Sequence, residues 1–284
     1  MAFDTTRLVN QVVLKGALPD GRFTDNEILD LAYDSLLGEI LPIVMAARQD
    51  YYVVSSDTAV GTTASFPVPY RAQNGVLREV KLVRGTQVID LDRIKLDDVD
   101  SSVTGLPNSF YIEGNDVVLY PAPSADNGDI LRLYYWIRPS RLVTVAECGI
   151  ITAIVGNIIT ATTPATWTTT NTFDLVQGRA HFDILGTDLA ATSVSSSSIT
   201  LTATVPTRLV VGDYICLSQE TCFPQLPPEG HIALVQCAVT AALEAMGDPA
   251  AAASAQKAAM LKESFTTVIK IRVEGAQILG KRLL

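Results

Sequence analysis

Charge is scarce in this chain. Only 18% of its 284 residues are Asp, Glu, Lys or Arg, and a chain of this size with so little charge is expected to have much of its surface covered by partners or sister copies. Basic residues are scarcer than acidic ones, 21 against 30, giving a net charge of −9 and a pI near 4.7. A protein that grips nucleic acid through phosphates needs Lys and Arg gathered on one face, so sequence-independent DNA gripping is not expected. An acidic surface can still face DNA in order to repel it, as a smooth channel requires.

Long apolar runs are missing too. Nothing approaches the ~20 residues of a membrane helix, and the run at 150–159 is broken by Gly156-Asn157. The opening residues, Met1 to Thr5, carry neither a basic segment nor an apolar one, so no signal peptide and no membrane partner are expected. Cys148, Cys216, Cys222 and Cys237 are scattered without a CxxC pair. That spacing points to free thiols in a reducing cytoplasm and to no zinc site. There are two histidines, and no HExxH, GxSxG, GxxxxGK[ST] or GxGxxG motif. No catalytic residue, cofactor or metal ligand is therefore assigned, and the chain is not expected to be an enzyme.

What is present reads as helix, then β, then helix. Asp4-Thr5-Thr6 can cap a first helix reaching Lys15, ended by Gly16 and Pro19. Thr24 to Glu27 form a capping-box pattern, and Ile28, Leu31, Ala32, Leu36 and Ile40 follow at helical spacing. Pro42 should kink or end that helix. From Tyr51 the period becomes two, with candidate strands at 51–55, 65–68, 76–84, 86–91, 109–113, 117–120 and 130–137. Turns fall at 114–116 and 126–129, and Arg138-Pro139 closes the region.

A second β region, 146–221, is richer in Thr and Ser. Strands are expected at 150–155, 158–162, 199–205 and 214–217, with polar loops or edge strands at 162–172 and 193–198. Helices resume at Pro227-Pro228-Glu229, where proline and an acid suit a first turn. Ile232, Val235, Val239, Ala242, Leu243 and Met246 form an apolar stripe ending at Gly247. An Ala-rich helix is expected over 250–271.

The expected fold class is α+β. The helices of 1–50 and 226–271 cover each other as one discontinuous bundle. A β-rich region (51–140) and a small β-barrel or sandwich (146–221) are inserted between them, and 272–284 is an extended arm.

Several groups could carry chemistry. Asp97, Asp98 and Asp100 cluster, but as a solvated turn rather than a glycosidase pair. The Asp126–Asp129 turn lacks the remaining ligands of a calcium loop. His231 sits in a first helical turn and His181 among strands. Along 131–136, Leu131, Leu133 and Tyr135 share one strand face, while Arg132, Tyr134 and Trp136 share the other. That second face, with Arg138 and Arg141 following, suits a subunit contact better than base stacking. In the tail, Lys270, Arg272, Lys281 and Arg282 stand beside Ile278, Leu279, Leu283 and Leu284. This mix suits a binding arm that orders on a partner.

Three stretches resemble the head-to-tail adaptors of tailed bacteriophages, also called connector or tail accessory proteins. The first is the capped helix of 24–41 followed by Tyr51-Tyr52-Val53. The second is Pro107-Asn108-Ser109-Phe110-Tyr111, then Leu119-Tyr120-Pro121-Ala122-Pro123 and a Tyr-Tyr strand. The third is Leu226-Pro227-Pro228-Glu229-Gly230-His231, followed by an Ala-rich helix ending at Gly247-Asp248. Together they cover about two-thirds of the chain, and the 146–221 insertion has no match in the family's minimal form.

The resemblance implies a structural virion protein of the neck, assembled in the host cytoplasm as a homo-oligomeric ring, a dodecamer on a twelvefold portal. A tail or nozzle protein would lie below, and DNA would pass through the lumen without sequence-specific contact during ejection. The arm residues Arg272, Ile278, Leu279, Lys281, Arg282, Leu283 and Leu284 would then bind the portal protein. The alternatives are another tail or neck component, such as a tail terminator, or a virion-associated cell-wall hydrolase.

Overall fold

The computed structural model describes residues 3–48, 50–100, 102–178 and 184–269. The chain divides into two compact units, one of residues 1–48 with 139–284 and one of residues 49–138.

Helix α1 (Thr5–Gly16) starts at Asp4, whose carboxylate accepts from the Arg7 amide at 2.9 Å. It ends on Ala17 in the left-handed region. Gly16 is the last helical residue, and a Cβ there would press on Leu18 Cδ2 at 3.0 Å. Helix α2 (Asp25–Ser35) has the expected capping box, Thr24 and Glu27 each satisfying the other's backbone N–H. Ile28, Ala32, Leu36 and Ile40 are buried as the stripe requires, with Leu29 in place of Leu31.

Pro42 does not end this helix. A π-helical turn over Leu36–Ile40 precedes it, and α3 (Leu41–Ala47) carries the chain on with proline in its first turn. The wider turn relieves the clash a proline ring makes with the carbonyl four residues back.

Among the described residues the second unit holds ten strands: β1 (Val53–Ala59), β2 (Ser65–Pro67), β3 (Ala72–Arg84), β4 (Gln87–Asp90), β5 (Asp92–Arg93), β6 (Thr104–Gly105), β7 (Ser109–Glu113), β8 (Asp116–Tyr120), β9 (Ala122–Pro123) and β10 (Ile130–Ile137). They form sheets ordered β1-β10-β3-β4 and β2-β8-β7-β5, with a small β6–β9 pair. Gly114 (φ 61°) makes the β7–β8 turn in a conformation that suits glycine. In β10 the alternation is as expected: Leu131, Leu133, Tyr135 and Ile137 are buried and the residues between them half-buried.

In the first unit the chain resumes with β11 (Arg141–Leu142), β12 (Gly149–Val155), β13 (Ile158–Ala161), β14 (Thr172–Val176), β15 (Ile184–Val194), β16 (Ser198–Leu201), β17 (Tyr214–Leu217) and β18 (Glu220–Thr221). Six of these close into a barrel ordered β12-β13-β16-β15-β14-β17. Closure leaves no unpaired edge. Ile151, Ile159, Phe173, Leu175, Ile199 and Ile215 fill its core. β11 and β18 pair in parallel, placing the barrel's entering and leaving segments side by side.

Helix α4 (His231–Met246) follows, capped by Gly247 (φ 67°), and then α5 (Ala251–Ile269). Every residue from Ala233 to Val239 is buried. α4 is therefore a central helix rather than one with a single apolar stripe, and Ile232, expected on that stripe, is exposed. α1 and α2 pack on α4, and α5 packs on α4 and α3. Lys262 of α5 donates to Glu39 at 2.6 Å. The fold class is α+β with a closed six-stranded barrel, and among the described residues no helix is long and apolar enough to cross a membrane.

Candidate metal centre

Three of the four cysteines converge in the first unit, Cys148 from far along the sequence and Cys216 and Cys222 from six residues apart. Thr144 and Glu147 cap the short 3-10 turn Val145–Glu147, and its last bond, Cys148 N–H to the Val145 carbonyl, sets Cys148 at the mouth of β12. Gly149 comes next and pairs with Ile215 of β17. A Cβ at Gly149 would meet Ile215 at 3.0 Å and Ala161 at 3.1 Å, so glycine lets β12 approach closely. Cys148 thus faces Cys216, one residue along β17, and the Cys216 thiol donates to the Cys148 sulfur at 2.7 Å.

Cys222 arrives from β18. A turn in which the Phe223 amide donates to Thr221 Oγ1 at 3.1 Å holds it, and its own carbonyl accepts from the Thr5 amide at 2.9 Å. All three sulfurs lie within 4.8 Å of one another, and all three residues are buried.

The walls are Val143, Val176 and Phe223, with Val145 and Tyr214 half-buried at the margin. Tyr214 meets Phe223 edge-on with ring centroids 5.0 Å apart. Burial pushes the Cys216 and Cys222 thiols far above their ordinary range. Cys148 is drawn down by its bond to Cys216, but the bond to Cys222 and burial outweigh this, and its thiol also rises. Uncomplexed, these sulfurs stay protonated at neutral pH and are poor nucleophiles. Their chemistry is that of soft ligands. Cys237 stands apart on α4, beside Glu39 and Lys262, its thiol pushed up to about 12 by burial.

CxxC spacing could not reveal this group, because its members come from a turn, a barrel strand and the segment that follows β18. The one local hint is Gly149 beside Cys148, a small residue marking close backbone approach within an apolar strand.

The groups singled out in the sequence are not brought together. Asp97 and Asp98 lie in a 3-10 turn (Leu96–Asp98), and Asp100 accepts from the amide and hydroxyl of Ser102. Asp126 accepts from the Gly128 amide, while Asp129 is buried and engaged by Arg84, so the two carboxylates serve different ends. Arg132 makes a two-point ion pair with Asp57 at 2.7 and 2.6 Å, Arg141 pairs with Asp30, and Lys81 lies over the Tyr134 ring. These cations are occupied within the chain. His231 stacks on Phe3, with centroids 4.2 Å apart.

His181, Lys270 and the arm residues Arg272, Ile278, Leu279, Lys281, Arg282, Leu283 and Leu284 lie outside the described residues. An open apolar cleft lined by Pro42, Ile43, Ala46, Ala47 and Thr266 lies between α3 and α5, and none of these residues is ionisable. No protein-family model matches the chain, and no curated protein matches it.

Proposed function

We propose that this chain is a structural virion protein, a head-to-tail adaptor that forms a ring beneath the portal and joins capsid to tail. The observation that supports this most is the meeting of the N-terminal and C-terminal helices: α1 and α2 rest on α4, although every described strand lies between them in sequence. In this reading those helices, with α3 and α5, are one discontinuous bundle that serves as the ring body. The β-rich unit and the barrel then serve contacts with neighbouring copies and the tail.

A net charge of −9 suits a lumen through which DNA must slide without sticking. The low charged fraction and exposed apolar side chains such as Leu14 and Met260 suit a chain whose surface is shared with sister subunits. The arm at 272–284 supplies cations and apolar residues for the portal.

Negative-stain microscopy of the protein mixed with portal tests the reading. The expected result is a ring capping the portal's exit. Rings that ignore the portal and seat on tail-tube ends would overturn it in favour of a tail terminator. Cell-wall lysis on zymograms, abolished by replacing Asp97, Asp98 and Asp100 with Asn, would overturn it in favour of a hydrolase.

A further inference from the structure

We propose that Cys148, Cys216 and Cys222 form a trigonal all-sulfur site for a thiophilic d10 metal ion, with Cu(I) the best-suited occupant. The inference is independent of the role in the virion. It starts from geometry. A metal–sulfur bond of about 2.3 Å places the three sulfurs of a planar site about 4 Å apart. The observed spread, from 2.7 Å between Cys148 and Cys216 to no more than 4.8 Å for any pair, brackets that triangle. Side-chain rotations moving each sulfur by about an ångström or less reach it.

The identity of the ion follows from what surrounds the sulfurs. Thiolates select soft ions. Zinc in a closed structural site takes four ligands. Among the described residues, however, no histidine or carboxylate oxygen joins the three sulfurs within 4.8 Å; they sit in an apolar cluster, and the Glu220 carboxylate acts on Cys148 without joining the group. A three-coordinate ion is satisfied there, and a four-coordinate one is not.

A single disulfide would use two of the three cysteines and leave the third unexplained. An S3 site uses all three, and it explains why three segments deliver a sulfur each to one apolar pocket. Each thiol that ligates gives up its proton to solvent, so binding tightens as pH rises. The ion also ties the turn before β12 to β17 and to the segment after β18, and therefore stabilises the barrel's root.

The test uses the full chain, reduced and handled without oxygen, titrated with Cu(I) against a chromophoric Cu(I) chelator. Expected are one ion per chain, an ultraviolet sulfur-to-metal charge-transfer band, and a higher unfolding temperature. X-ray absorption should show three sulfur neighbours at about 2.3 Å. Cys216→Ser and Cys222→Ser should each weaken binding at least tenfold, while Cys237→Ser should leave it unchanged. Zn(II) should be stripped by a chelator too weak to remove Cu(I).

The proposal fails if the wild-type chain forms no one-to-one complex, or if binding survives Cys216→Ser. It also fails if Zn(II) is held as tightly as Cu(I) with a fourth ligand. Should the serine variants not fold, the absorption spectrum of the wild-type complex decides alone: any neighbour set other than three sulfurs refutes it.

Discussion

Asp174 holds Asp188 in a conformation that an aspartate seldom adopts. One oxygen of the buried Asp174 carboxylate accepts from the Asp188 amide at 3.0 Å, and Asp188 has φ 55°. The other oxygen accepts from the amide of Gln219, at 3.1 Å and φ 67°. One side chain on β14 thus fixes two left-handed residues, one within β15 and one between β17 and β18. Each such residue costs about 1 kcal/mol relative to the usual region, and each amide left without an acceptor costs about 1–3 kcal/mol.

Asp174→Ala should therefore destabilise the barrel by about 3 kcal/mol. Asp174→Asn should cost about half of that, because it keeps one acceptor and turns a donor toward the other amide. Adding Gln219→Gly to Asp174→Ala should recover about 1 kcal/mol, since glycine enters that region freely. Thermal unfolding followed by circular dichroism measures all three, and no recovery from the glycine would show that the carboxylate does not act through backbone conformation.

The second unit has a comparable fixture. Arg84 donates to both oxygens of Asp129, Nε at 2.8 Å and Nη2 at 2.6 Å, and the carboxylate is 4% exposed. Arg84 remains partly in water, so the full cost of breaking a buried pair is not expected. Arg84→Met should still cost about 2 kcal/mol, because it strands a buried carboxylate. Adding Asp129→Asn should return at least half of the loss. A double-mutant cycle reads the coupling directly, and additive losses would refute the pairing as the cause.

Legibility in the sequence followed the range of the signal. The Thr24–Glu27 capping box, the β7–β8 turn at Gly114 and the alternation of Leu131, Leu133 and Tyr135 depend on residues within a few positions of each other. Each could be read directly. β14 starts at Thr172, where the Thr-rich stretch ends, and no strand is expected over 173–176; β15, with Gly186, Thr187, Thr192 and Ser193, lacks a sustained apolar alternation. Both are strands because the barrel supplies partners on either side. β5, β6 and β9 are two residues each and owe their form to pairing alone. The cysteine cluster belongs to the same class: strand register sets Cys148 beside Cys216, and a turn after β18 brings in Cys222, neither of which spacing encodes.

Gly230 marks where α4 begins and tests how closely the terminal helices are packed. A Cβ there would run into Leu226 Cδ1 and meet Phe265 Cζ of α5 at 2.8 Å. Both neighbours are buried, so neither can swing into solvent. Gly230→Ala should destabilise by about 2 kcal/mol through overpacking, although alanine is the better helix former. Combining it with Phe265→Leu should relieve part of the loss. Stabilisation by Gly230→Ala alone would show that α5 is not seated there.

His231 gives the protein a predicted acid sensitivity with a defined window. Its ring stacks on Phe3 at the start of α4, and its pKa is lowered to about 4 by burial first and by the Arg7 guanidinium second. The unfolded chain has an ordinary histidine, near 6.5. Between these values the unfolded state binds a proton that the folded state refuses, so stability rises with pH across the interval. The contribution is complete above about 6.5, falls as the solution is acidified, and is lost by about pH 4. The ring is mostly buried, and the loss should amount to roughly 2 kcal/mol. Carboxylates with lowered pKa, such as Glu27 and Asp57, lose their contribution only as pH falls below the ordinary carboxylate range and through their own lowered values. Their losses therefore fall at lower pH. His231→Phe keeps the stack and removes the titration. Unfolding temperatures from pH 7.5 to 4.5 should fall more steeply for the wild type than for the variant, and parallel curves would mean that His231 is protonated as easily in the folded protein as in the unfolded chain.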